Sequence, residues 1–196
     1  MLFVRKKIII TLLTAAILLL LVSCSRPPEL EEIYDEVVSL IEASYEINEI
    51  YFGHGLPTSD IDSGLSGYSR VREDAKYRSI DQIKAATEQV YCKDYREGLY
   101  EVAFKGVSNF TQGVYGVVKA RFIEHQGYLF QDSNAEALIT AKRIYDYSTM
   151  KIVKPSNAKN VNISIDSRLE GSEEILNITL SFVFENGRWL LNSPTY

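Results

Sequence analysis

The chain has 196 residues, with 21 Lys and Arg against 26 Asp and Glu, a formal net charge of −5. An acidic balance of this kind argues against a nucleic-acid partner, because such a surface repels the phosphate backbone. Two Cys and two His leave no disulfide framework and no metal set of recognisable spacing, and no cofactor motif accompanies them.

The first element is a basic n-region, Arg5-Lys6-Lys7, followed by an uncharged run from Ile8 to Leu20. At about 1.5 Å per helical residue that run spans roughly 20 Å, short of the roughly 30 Å hydrocarbon core. It therefore predicts a secretory h-region rather than a spanning helix. Leu21-Val22-Ser23-Cys24 then resembles a lipobox, which implies cleavage before Cys24 and a diacylglycerol on its thiol. Two or more acyl chains, at about 0.8 kcal/mol per buried CH₂, anchor durably where one does not. An ordinary Cys beside an ordinary signal is the alternative; the flanks and the polar Arg26-Pro27-Pro28 speak against it. The expected layout is a signal peptide over 1–23, a lipidated tether over 24–28 and one domain over 29–196. That places the domain on the extracytoplasmic face of a cell membrane, attached through its N-terminal lipid. Arg5, Lys6 and Lys7 leave with the signal, so 18 basic residues face 26 acidic ones, formally −8.

Pro27-Pro28 opens a helix whose first turns carry Glu29, Glu31, Glu32, Asp35 and Glu36, where the backbone dipole is positive. Leu30, Ile33, Tyr34, Val37, Ile41 and Tyr45 recur at three- and four-residue steps and form its apolar stripe to about Ile50. Residues 53–76 are Gly-, Ser- and Asp-rich without a sustained period, with a short strand expected around Tyr68 to Val71. Thr58 to Gly64 begins like a calcium loop, but Ser69 or Arg70 stands where the bidentate acid belongs. Ser79-Ile-Asp-Gln82 is a capping box for a second helix, and Asp94-Tyr-Arg-Glu97 for a third that carries Leu99, Val102 and Ala103 inward. The period then shortens to two. Ala120 to His125 and Tyr128 to Gln131 flank a Gln126-Gly127 turn, and Arg143 to Lys154 is a long strand stopped by Pro155. Val161 to Ile165 and Leu176 to Phe184 alternate. Asn186-Gly187 is a type I′ hairpin signal, which places Phe184 opposite Trp189 and Phe182 opposite Leu191 on one face toward the helices.

Helices followed by antiparallel strands predict an α+β domain: three helices packed on a curved antiparallel sheet of about six strands. That order resembles the NTF2-like (cystatin-like) group over most of residues 29–196. The resemblance implies a pocket between sheet and helices that binds a small molecule, catalyses, or is filled by side chains. Tyr-Ser-Arg-Val at 68–71, Ser-Ile-Asp-Gln-Ile at 79–83, Gln-Gly-Tyr-Leu at 126–129 and Gly-Arg-Trp-Leu at 187–190 resemble secreted inhibitors of D,L-endopeptidase autolysins. That likeness transfers no functional residue.

Candidate chemistry is sparse. One face of the strand from Arg143 reads Ile144, Asp146, Ser148, Met150, Ile152, so a buried Asp146 would need a partner or a raised pKa, as a general base does. The other reading turns the Tyr145/Tyr147 face inward. His125 stands beside a hairpin turn, where a solvated side chain is expected. Cys92 reads as a small buried residue rather than a nucleophile, since only His54 and His125 could activate it. The 13 Tyr could line a pocket, a protein-binding rim or the edge of the core. A non-enzymatic binding or regulatory domain is the favoured function, with a small ligand or an envelope protein as partner. The alternatives are an inhibitor of a cell-wall hydrolase and a pocket enzyme that brings Asp146 and His125 to one cavity. The loop over 53–76 and the tyrosines are the expected contact surfaces, the loop being detachable from the fold.

Overall fold

Helix α1 (Leu30–Phe52) is the longest element, and its apolar stripe decides how everything else packs. The fold is seen in a computed structural model that describes residues 26–59, 64–111 and 114–196, with backbone alone for 107–117. The signal sequence and Cys24 lie outside the described residues, as do 60–63 of the abortive calcium loop. At the start of α1, Glu29 and Glu32 form a reciprocal capping box, which satisfies backbone donors the helix leaves free. Ile33, Val37, Leu40, Ile41, Ile47, Ile50 and Tyr51 are buried, while Tyr34 turns to solvent. At its end Arg121 donates from Nε to the Ile50 carbonyl at 2.9 Å and from Nη2 to that of Gly53. Those bonds occupy carbonyls that a helix terminus leaves open.

Two more helices follow, α2 (Ile80–Thr87) and α3 (Lys93–Tyr100). Ser79 caps α2 by accepting from the Gln82 backbone at 3.2 Å. The Gln82 side chain accepts from Arg78 N rather than returning to Ser79, so the expected box is half made. No capping box stands at Asp94: the N-cap of α3 is two residues earlier, at Cys92, whose Sγ donates to Asn192 Oδ1 at 3.0 Å. A π turn (Glu101–Lys105) continues α3. With its i→i+5 spacing Leu99 and Ala103 stay buried while Val102, expected inside, is 48% exposed.

The strands do not form the expected single sheet of about six. They make a three-stranded antiparallel sheet, a separate hairpin and a four-stranded antiparallel sheet. The first joins β1 (Tyr68–Arg70), β5 (Tyr128–Asp132) and β4 (Phe122–His125) in the order β1-β5-β4. The hairpin pairs β2 (Val107–Thr111) with β3 (Val114–Val118). The last runs β6 (Arg143–Val153), β7 (Asn160–Leu169), β8 (Leu176–Glu185), β9 (Arg188–Leu191) in sequence order. Gln126-Gly127 and Asn186-Gly187 turn their hairpins with positive φ at both residues. Phe184 pairs with Trp189 and Phe182 with Leu191, in the expected register. Phe182, Trp189 and Leu191 are buried as expected; Phe184, near the strand end, is 41% exposed.

Val90–Cys92 adds to the free edge of β9: Leu191 N donates to the Val90 carbonyl and Cys92 N to that of Leu191, both at 2.9 Å. Helix and sheet share one core, in which Val37, Ile41, Ile83, Phe122, Ile163, Ile165 and Leu191 are all fully buried. The 53–76 connection belongs to that core. Leu56, Val71 and Ala75 are buried in it, and Gln131 clamps it by accepting from Leu56 N and donating to the His54 carbonyl. The loop expected to be detachable is thus part of the fold.

Candidate functional site

Two polar residues interrupt the apolar stripe of α1, Ser44 and Asn48, one helical turn apart and both buried. They meet Thr195, whose Oγ1 lies 2.6 Å from Ser44 Oγ and 2.7 Å from Asn48 Nδ2. Tyr91 donates to Asn48 Oδ1 at 2.7 Å, and Tyr145 donates to the Thr195 carbonyl at 2.8 Å. Four chain segments are joined here through groups that would each be costly to bury alone. Burial holds the Tyr91 hydroxyl up at about 12, against the lowering by hydrogen bonds from Thr195, Ser44 and Asn48.

Two members of this network, Asn48 and Thr195, line a cleft of about 260 Å³. The second half of α1 gives it Tyr45, Asn48 and Glu49, and the approach to β6 gives it Ile139 to Arg143. His54, Glu170, Thr195 and Tyr196 complete the lining. Tyr45 donates to the Arg143 carbonyl at 2.8 Å, and Lys142 Nζ stands 4.0 Å from the centre of the Tyr45 ring. Burial first, then the Glu42 charge, pushes the Tyr45 hydroxyl up to about 12. Arg143 Nη1 donates to Ser167 Oγ at 3.1 Å, while its buried Nε makes no hydrogen bond. Glu49 Oε1 is 2.8 Å from the His54 backbone nitrogen and 3.0 Å from its Nδ1. The cleft therefore presents both signs of charge beside tyrosine rings, a wall suited to orienting a small polar molecule.

The residues expected to carry chemistry are not gathered there. Asp146 is exposed on β6, and Tyr145 is the buried residue beside it, so the Tyr145/Tyr147 reading of that face holds. Asp146 Oδ1 accepts from Ser148 N at 3.1 Å and Ser148 Oγ at 2.6 Å, at the start of a bulge between Asp146 and Lys151. Its carboxylate holds a turn of backbone rather than facing a cavity. His125 is exposed in the other sheet, pairs across the turn with Tyr128, and has the Phe130 ring 6.4 Å away. Cys92 is 2% exposed, and burial raises its thiol, the opposite of nucleophile activation. Among the described residues no group of three or more His, Cys, Asp and Glu could hold a metal ion.

The tyrosines divide. Tyr91 and Tyr145 are core groups, Tyr128 is exposed with the Arg70 guanidinium 3.4 Å over its ring, and the side chain of Tyr115 lies outside the described residues. Sequence reasoning missed Lys142, Arg143, Glu49, Glu170 and Tyr196. One signal was available: Ser44 and Asn48 fall on an otherwise apolar helix stripe, which marks a buried polar network.

No family model matches this chain, and no curated protein matches it.

Proposed function

We propose that the chain is a lipoprotein, anchored through Cys24 on the extracytoplasmic face of a membrane, whose domain works by binding in the cleft beside Asn48. The observation that carries this reading is that side chains of both charge signs line one small cavity. Lys142 and Arg143 line it without an ion-pair partner among the described residues, and Glu49 and Glu170 line it too. A ligand that bears both a carboxylate and an ammonium group complements such a wall: an amino acid, or the end of a short peptide. A partner protein presenting such a terminus would meet the same groups. The resemblance to NTF2-like proteins supports the reading only in its expectation of a pocket between helix and sheet. The exposed positions of Asp146 and His125, in different sheets, count against the enzyme built on that pair.

The test is a thermal-shift and calorimetric screen of free amino acids and di- and tripeptides against the soluble domain over residues 26–196. A binder is expected whose affinity falls at least tenfold, roughly 1.4 kcal/mol, in Arg143→Gln and Lys142→Gln. Circular dichroism on both variants verifies the fold. Binding that leaves both substitutions indifferent, or no shift from any zwitterion, overturns the assignment.

A further inference from the structure

Arg26 stands two residues after Cys24. Consecutive Cα atoms are about 3.8 Å apart, so its Cα lies within about 8 Å of the residue proposed to carry lipid, whatever the path between them. Arg26 and Pro27 line a cleft of about 360 Å³ with Ala158, Phe184 and Trp189. Phe184 is 41% exposed and meets the Trp189 ring edge-on at 5.3 Å. Ala158 belongs to the β6–β7 turn, whose Lys154 and Lys159 are exposed and make no ion pair among the described residues. On the near side, Glu29 is bonded to Arg26 and shares the capping box with Glu32.

We propose that this face, built from Phe184, Trp189 and the β6–β7 turn, rests against the lipid headgroups, and that the Asn48 cleft is turned away from them. The inference rests on acylation of Cys24. A tether this short keeps Arg26, at the rim of this face, close to the headgroups, and the exposed Phe184 ring with two lysines that make no ion pair among the described residues suits a layer that is part apolar and part anionic. Along α1, Tyr45 and Glu49 come 13 to 20 residues after Glu29 and Glu32, about 20–30 Å at about 1.5 Å per residue. The ligand cleft then opens into the compartment, clear of the headgroups.

The single tryptophan makes this measurable, since Trp189 lies in the face itself. Full-length mature protein, purified from membranes, is reconstituted into phosphatidylcholine–phosphatidylglycerol vesicles that carry a nitroxide on the headgroup. Trp189 fluorescence is expected to fall at least twofold against unlabelled vesicles. In a Trp189→Phe, Tyr196→Trp variant, the only tryptophan sits at the far cleft and its emission should change by less than a tenth. Should Trp189→Phe fail to fold, Tyr196→Trp alone must add an emission component that resists quenching. Mass spectrometry of the N-terminal peptide and vesicle flotation are read on the same sample. An acylated, floating protein whose Trp189 is unquenched, or whose two reporters are quenched alike, overturns the orientation and leaves the lipoprotein reading standing. A protein without acyl chains at Cys24 overturns both.

Discussion

Thr195 has a small side chain, yet it ties α1 to the β6 edge through Ser44, Asn48 and Tyr145. Removing its hydroxyl leaves the buried Asn48 Nδ2 without that acceptor and Ser44 Oγ without that donor, and a lost partner of this kind costs about 1–3 kcal/mol. Thr195→Val is therefore expected to lower the unfolding free energy from urea titration by that amount, with a lower midpoint, and Thr195→Ser to restore most of it. Equal midpoints for all three proteins would mean that the network contributes nothing to stability. Tyr91, in the same network, has a pH signature. Its hydroxyl keeps its proton in the fold to about 12, whereas an unfolded tyrosine releases it near 10. The unfolded state thus binds fewer protons across that interval, and stability falls as pH rises through it. Below about pH 10 the contribution is fully present. Tyrosinate absorbance should show one class of tyrosines ionising only with unfolding above that pH, and Tyr91→Phe should reduce the alkaline loss of stability.

At the scale of elements, Gly106 joins the π turn to β2 with φ at +72°, and a Cβ there would stand 2.5 Å from the Val118 carbonyl oxygen. Backbone cannot yield as a flexible side chain does, so Gly106→Ala should destabilise by more than about 1 kcal/mol in denaturant unfolding. An unaltered midpoint would show that the π turn can shift to make room. The order of helices before the long strands, the Gln126-Gly127 and Asn186-Gly187 hairpins and the pairing of β8 with β9 were legible because period-two alternation and turn chemistry are local signals, whereas the β2–β3 hairpin was not anticipated. Alternation left the face of Asp146 open between two readings, for a reason equally local to the strand. Between Asp146 and Lys151, β6 advances five residues while β7 returns two, so the parity that assigns faces changes inside the strand. Met150 is buried, as alternation expects, yet Asp146 from the same set is exposed. Val102 was lost in the same way, to a π turn that no periodicity announces. The cleft was hidden because its cations stand at the start of β6 and its acids come from α1 and the segment after β7, groups brought together only by tertiary packing.

For the molecule as a whole, the lipobox reading predicts that cells fed labelled palmitate label the protein, and that Cys24→Ala abolishes both label and processing. Undiminished labelling of the variant would move the acyl chain elsewhere. A second expectation concerns the long connection between α1 and α2. Its composition suggested a detachable contact loop, but Val71 N donates to the Leu129 carbonyl, Ser59 N to that of Arg70, and Arg72 N to that of Pro57. β1 completes the three-stranded sheet, and Val71 is 5% exposed beneath it. Replacing residues 57–71 by a short Gly-Ser link therefore bares the β5 edge and empties part of the core beside Leu129. Losing one large buried aliphatic side chain costs about 2–5 kcal/mol, and the strand's hydrogen bonds add to that. At about 2–4 °C per kcal/mol for a domain of this size, the melting temperature should fall by roughly 10 °C or more. The three-stranded sheet should lose amide protection first, with β6 to β9 still protected. Unchanged melting together with lost ligand or partner capture would instead make the segment a separable contact surface, and its packing against Gln131 and Leu129 incidental.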